Sequence, residues 1–481
     1  MKREQLVDMI GHAPDAYVRD ATDAPGKQRR LRKMKWFGSI AAVLAVVMLI
    51  NMPAIPMVIT AKAVSEPTAS RRMTREDFEG EKFDHEGYGQ MIAARDAILD
   101  EAVPPLAAFT GECASYVLSG TDSENRLFSP INAYIGLAMT AELVSGNSQN
   151  QLLDALGASS ADALRSRIST VWEEVEDTRN GSERCTIANA LWLDRDVTYT
   201  QETMDDIAYY YYASVYEGDL GSSRTERDMT AWMKNNTGGM IQKRKSPDIA
   251  PEDQLLTLTS AIYFRSKWSD EFNASDNTQG QFHTAAGDVA ATFMNKDEYH
   301  MNYYWYEDFG AVEMYLKNGS TMWFILPDED KTVDDVLDND AYMTMITEDH
   351  PWDEDAEHYR YMKVNLSVPQ FDVSSSADLK EALQNMGVTD IFDPACADFS
   401  PSIVATPDKP PYITAVNQDV RVKIDEKGVT AAAYIEIPGA GAAAPPEEII
   451  DFVLDRPFVF AVTKSQIPLF VGTVNDPTDA G

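Results

Sequence analysis

Two sets of residues in this chain could take part in chemistry, and only one has a pattern. The six histidines, His12, His85, His283, His300, His350 and His358, are scattered. None lies in a His-Glu-x-x-His metal motif, and the chain lacks a Gly-x-Ser-x-Gly nucleophile elbow and a Gly-rich phosphate loop. His350, Asp353, Glu354, Asp355, Glu357 and His358 form an acidic cluster, but the carboxylates have no ligand rhythm and read as a solvated loop. Asp328 to Asp340 is acid-rich without the glycine of a calcium loop. No metal, no cofactor and no enzyme activity is expected.

The patterned set is that of a substrate. Gly428 follows a strand-like run, Val420 to Ile424, and tolerates hinge dihedrals closed to other residues. After it the chain alternates. Val429, Ala431, Ala433, Ile435 and Ile437 are apolar, whereas Thr430, Tyr434, Glu436 and Pro438 among the intervening residues carry the polar and awkward groups. That is the period of a strand with one buried face. The tract Gly439-Ala-Gly-Ala-Ala-Ala444 then has no side chain large enough to anchor a fold, and reads as an exposed loop open to proteolytic nicking. On composition alone the stretch is a β-hairpin arm with a flexible tip.

The elements that must hold this arm are legible along the chain. Leu106, Phe109, Cys113, Tyr116 and Val117 recur at helical spacing, so a first amphipathic helix is expected from Pro104. Ser129-Pro130 before an apolar periodic run is a helix-start signal, and Gln149 to Leu156 continues as a further helix. Ile187 to Leu193 reads as a buried strand, and Gln201 to Tyr212 as a helix ending in four tyrosines. That run suits core packing and a helix edge better than a carbohydrate platform. Trp323 to Pro327 and Leu366 to Phe371 read as strands, and Leu379 to Gly387 as a helix closed by its glycine.

Taken in order, these segments resemble the serpin family of serine protease inhibitors, and a bacterial-type member is expected. The resemblance rests on Glu426-Lys-Gly428 with the small residues after it, on Pro445-Pro446, on Arg456-Pro457-Phe458-Val459-Phe460, and on Leu469 to Val474 with Pro477. Trp232, Thr237, Gly239 and Ile241 match a family pattern, as do Ser260 to Trp268 with Phe272, Thr278 and Phe282. The likeness covers about residues 100–477. It implies an α+β fold of three β-sheets, with a central five-stranded sheet, surrounding helices and an exposed reactive loop at 426–456. It also implies that a protease attacks the loop, forms an acyl-enzyme and is trapped when the loop enters the central sheet.

By the spacing the resemblance implies, counting from the hinge glycine and back from the proline pair both place the scissile bond at Ala442–Ala443. The hinge and inserting residues are then Glu426, Gly428, Val429, Thr430, Ala431, Ala432 and Ala433. The resemblance places Trp268 beneath the point where the loop would enter the sheet. Ser260 and Gln418 stand where the family often has an Asn and a His, with Ser129 and Asn132 nearby, so a rewired polar network is expected. Val429 is bulkier than the usual Ser or Thr, and Pro438 lacks an N–H for the ladder. Ala442 suits a serine protease with a small primary pocket, elastase-like or subtilisin-like. A non-inhibitory serpin acting as a substrate or binding protein, and a surface-anchored binding module, remain the alternatives.

Length and charge set the frame. The 481 residues are 44% hydrophobic with a net charge of −36, enough for a large core and repulsive to nucleic acid and anionic lipid. The three cysteines, Cys113, Cys185 and Cys396, make no disulfide framework. Residues 1–35 are basic and expected to be cytoplasmic. Residues 36–60 are apolar and read as a transmembrane signal-anchor, with Ala61-Lys62-Ala63 as the competing signal-cleavage site. Residues 61–100 read as a polar stalk and 101–481 as the folded domain. The expected protein is a monomer on the extracellular side, tethered to the membrane through its N-terminal segment or secreted, with a serine protease as its partner and no nucleic acid.

Overall fold

A computed structural model of the chain describes residues 57–67, 78, 83–120, 123–180, 183–239, 241, 255–351, 353, 356–406, 410–429 and 449–479. The basic segment 1–35 and nearly all of 36–60 therefore lie outside the described residues, as does the stretch 430–448. In chain order the strands begin with β1 (Lys62–Ser65), β2 (Arg126–Phe128), β3 (Asp177–Asn180), β4 (Glu183–Asp194), β5 (Thr198–Tyr199) and β6 (Ala213–Gly218). Next come β7 (Leu256–Lys267), β8 (Thr278–Thr284), β9 (Gly287–Trp305), β10 (Phe309–Tyr315), β11 (Ser320–Pro327), β12 (Tyr359–Pro369) and β13 (Phe371–Asp378). The last are β14 (Ile403–Ala405), β15 (Asn417–Asp425), β16 (Gly428–Val429), β17 (Ile449–Val453), β18 (Phe458–Lys464) and β19 (Ile467–Val474). The helices the site depends on are α1 (His85–Leu118), α2 (Pro130–Leu143), α3 (Gly146–Ala155), α4 (Ala161–Val175), α5 (Gln201–Tyr210) and α6 (Ser223–Asn236).

Three sheets result. The central one runs β1-β6-β4-β7-β16-β15-β13, with β3 on β4. Its five long members, β6, β4, β7, β15 and β13, are the expected five-stranded sheet. A second runs β17-β12-β9-β10-β11-β18-β19-β2, with β8 on β9, and β14 pairs with β5 in a small third sheet. β18 and β19 are buried at every residue, so they read as apolar runs without alternation. α2 is buried along nearly its whole length. Pro130 opens it, where a missing N–H costs nothing.

The structure departs from the sequence reading at two places. The first helix starts at His85, with the Asp84 side chain capping Gly87 N, and runs straight through Pro104 and Pro105. Leu99 and Ala102 continue the buried stripe of Leu106, Phe109, Cys113 and Val117, so tertiary packing overrides the proline breaks. The stretch 61–100, read as a stalk, therefore holds the first half of this helix. It also holds β1, which pairs antiparallel with β6. The tyrosine run ends α5: Tyr211 is buried with its hydroxyl on Glu142, and Tyr212 stacks on Trp172 at 4.1 Å.

Among the described residues no helix is long and apolar enough to cross a membrane, and no metal-ligand cluster is found. His350 packs its ring against Tyr304, Trp323 and Tyr359, and His358 stacks on Tyr306. Cys113 and Cys185 are buried thiols and Cys396 is exposed.

Candidate functional site: an open slot in the central sheet

β15 ends in a tight turn, Glu426-Lys427, that folds the chain back as β16. Gly428 pairs with Asp425 on one side and Lys267 on the other, and Val429 with Ile424 and Ser266. Gly428 adopts φ +142°, and a Cβ there would collide with the Ser266 carbonyl oxygen and the Lys267 backbone. Only glycine fits. Val429 is buried at 1% exposure. The first inserting position is thus already a rung of the sheet, and its bulk fills core.

Trp268 holds this turn. It is fully buried, its Nε1 donates to Asp425 O at 2.9 Å, and its backbone N donates to Lys427 O at 3.1 Å. Its ring meets Phe272 and Phe324 edge-on or tilted. Glu426 accepts from Phe272 N through its carbonyl at 2.9 Å. Its carboxylate accepts from Asn277 Nδ2 at 2.5 Å and Gln370 Nε2 at 2.7 Å. The other end of the undescribed stretch is anchored equally well. β17 lies parallel to β12, His283 N donates to Asp455 O at 2.7 Å, and Arg456 donates to Pro327 O at 2.8 Å. Residues 430–448 thus connect two different sheets.

Below Val429, β7 and β15 flank a slot between the two halves of the sheet. Among the described residues no ladder joins β7 to β15 directly; β16 alone bridges them, at one end. Further down, a cavity of about 90 Å³ is lined by Leu256 to Ser260 of β7, Ala415 to Asp419 at the start of β15, Asn132 and Thr140 of α2, and Met233 of α6.

The polar residues expected at this opening fall into two groups. On the β15 side, Gln418 Nε2 donates to Ser129 O and its Oε1 accepts from Ser129 N, both at 2.8 Å. The Ser129 hydroxyl donates to Leu469 O at 2.8 Å. On the β7 side, Ser260 donates to Asn189 Oδ1 at 2.8 Å. Asn132 lies between, 1% exposed, and neither atom of its amide has a partner among the described residues; Asn189 Nδ2 likewise has none. Asn189 was not picked out from sequence, although an amide within the apolar run Ile187 to Leu193 was a signal. Arg421 forms a two-point bond with Asp372 at 2.8 Å, which ties β15 to β13. Thr430, Ala431, Ala432, Ala433, Ala442 and Ala443 lie outside the described residues.

A chain reversal seated between β7 and β15, over strands that share no ladder below it among the described residues, is the arrangement the resemblance implied at the hinge. The comparisons agree. The family model of the serpins, serine protease inhibitors, matches residues 106–477, and the chain belongs to that family. It is 26% identical over 375 residues to Serpin-ZX of Arabidopsis thaliana, covering 74% of this chain and 93% of that protein. It is 25% identical over 383 residues to alpha-1-antiproteinase S of Cavia porcellus, covering 78% and 90%. Among solved structures it resembles the thermophilic serpin tengpin in its native state. There the TM-score is 0.67 at 26% identity, over 83% of this chain and 96% of that one. Plant and mammalian relatives support the family and give no support to a bacterial subtype.

Proposed function

We propose that the chain is a suicide-substrate inhibitor of serine proteases with small primary pockets, elastase-like or subtilisin-like, cleaved at Ala442–Ala443. The observation that carries the reading is the seating of Gly428 and Val429 between β7 and β15 at the head of an open slot. Extending the two observed registers down the slot gives a self-consistent strand. Ile435 then falls opposite both Gln418 and Ser260, and residue 439 falls opposite Leu256, the last rung of β7. The slot therefore takes residues 428–439, and Ala442 emerges just past its end. A strand of that length spans about 40 Å, which carries an attached protease from one pole of the sheet to the other.

The chemistry follows from this travel. The protease serine oxygen attacks the Ala442 carbonyl, the Ala443 amine leaves with a proton, and an ester links the two proteins. Insertion competes with attack of water on that ester. Because Val429 is already buried, it adds nothing further to the driving force. Burial of Ile435 and Ile437 contributes roughly 1.5–3 kcal/mol each, and each new ladder bond about 1 kcal/mol. A substrate-like, non-inhibitory serpin is the second reading, and Pro438 favours it: opposite Thr257 and Ala415 it can donate no ladder bond. We further propose export, with 1–35 in the cytoplasm and the apolar stretch expected at 36–60 as a membrane tether that ends before Met57, because Met57, Ile59 and Thr60 are held on the folded body.

Thermal unfolding before and after limited elastase cleavage tests insertion. The inhibitory reading expects the nicked chain to unfold well above the intact one. Equal transitions contradict it and favour the second reading.

A further inference from the structure

The last residues of the apolar N-terminal stretch, from Met57 onward, are built into the folded body. Met57 exchanges two bonds with Asn235: its N donates to Oδ1 at 2.8 Å, and Asn235 Nδ2 donates to its carbonyl at 2.9 Å. The Thr60 hydroxyl donates to Asp228 Oδ2 at 2.7 Å and accepts from Arg224 Nε at 2.9 Å. Arg224, Asp228 and Asn235 stand at i, i+4 and i+11, one stripe of α6. Lys62 pairs with Glu217 of β6 at 2.9 Å, and Ser65 donates to Asp205 of α5 at 2.9 Å. Ile59 and Ala61 pack on the cluster of Trp192, Met229, Trp232 and Met233, beneath α6. Between them β1 closes the free edge of the central sheet.

α6 also covers the slot, because Met233 lines the cavity that a strand ending at residue 439 must fill. A strand that fills the bottom of the slot therefore presses on the Met233 side chain and on the helix that carries it. Resting on the inhibitory reading above, we infer that Met57–Ser65 is a strap that holds α6 down and sets the rate of loop insertion. Ala61-Lys62-Ala63 lies within the strap. A cut after Ala63 would remove every side-chain bond named above except that of Ser65. The strap therefore assigns the retained form of the N-terminus to the slow-inserting inhibitor, and the cut form to a fast-inserting one.

The test uses the full chain with substitutions. Val64→Pro breaks β1, and the double change Thr60→Ala, Asn235→Ala removes the bonds to α6; Thr60→Ser preserves its bond and serves as the control. The readout is spontaneous conversion on warming, followed as loss of elastase cleavage within 430–448 together with a rise in the unfolding temperature. Both strap variants are expected to convert at least ~5-fold faster than wild type, with Thr60→Ser unchanged. Hydrogen exchange at residues 57–65 and in α6 shows whether the strap has been released. Release without faster conversion overturns the strap and leaves the inhibitory reading standing. A wild-type chain that gains no stability on loop cleavage overturns both.

Discussion

Gly428 concentrates the demands of the hinge: φ +142°, a rung on both neighbours, and no room for a Cβ. Gly428→Ala is expected to cost about 1–3 kcal/mol of stability through backbone strain alone, read as a lower denaturant midpoint, and to loosen the seating of Val429. On the inhibitory reading proposed above, alternate small residues beyond the hinge pass into the sheet. Ala433→Arg places a charge on the inward face, and a charge without a partner is costly to bury. The expected outcome is a chain still cleaved by the target protease but no longer trapping it, seen as turnover of inhibitor to nicked product. Ala442→Arg tests the bait itself. Inhibition of an elastase is expected to fall at least ~100-fold, with inhibition of a trypsin-like enzyme gained. Unchanged preference would move the scissile bond away from Ala442.

At the scale of elements, β15 with its turn and Trp268 form the hinge housing. Trp268→Phe keeps an aromatic against Phe272 and Phe324 but leaves Asp425 O without its donor. A loss of about 1–3 kcal/mol is expected, measured by urea unfolding. The hinge and its strand were legible in sequence because period-two alternation around Gly428 is a local signal. The order of the strands was legible only through the family resemblance. Three features were not. Asn189 and Ser260 are 71 residues apart and meet only because β4 pairs with β7. α1 crosses Pro104 and Pro105, a local stop signal that packing of Leu99 and Ala102 outweighs. β1 is four residues of mixed polarity, a strand only because β6 offers an open edge.

For the whole molecule, stability against acid follows from its carboxylates. Asp398 is held below its ordinary range by the Ser145 hydroxyl and then by Ser400. Asp390 is held low by Asn147 and Gln151, and Asp308 by Lys331 and Asn339. A depressed folded value contributes stability above the unfolded value near 3.8. That contribution is lost as pH falls through the folded value. Asp398→Asn is therefore expected to unfold more readily than wild type at pH 7, with the gap closing as pH falls below 3.8 and through the lower folded value; a gap independent of pH would show that the carboxylate charge is not what Ser145 and Ser400 stabilise.

All three scales meet in the event proposed for this chain, the trapping of a protease on a strand that has crossed the sheet. The direct measurement is to incubate the chain with an elastase and with a subtilisin and resolve the products on a denaturing gel, with mass spectrometry of the released peptide. The account predicts a band at the summed mass that survives denaturation, and a new N-terminus at Ala443. A chain cut at that bond with the protease free and active would contradict it.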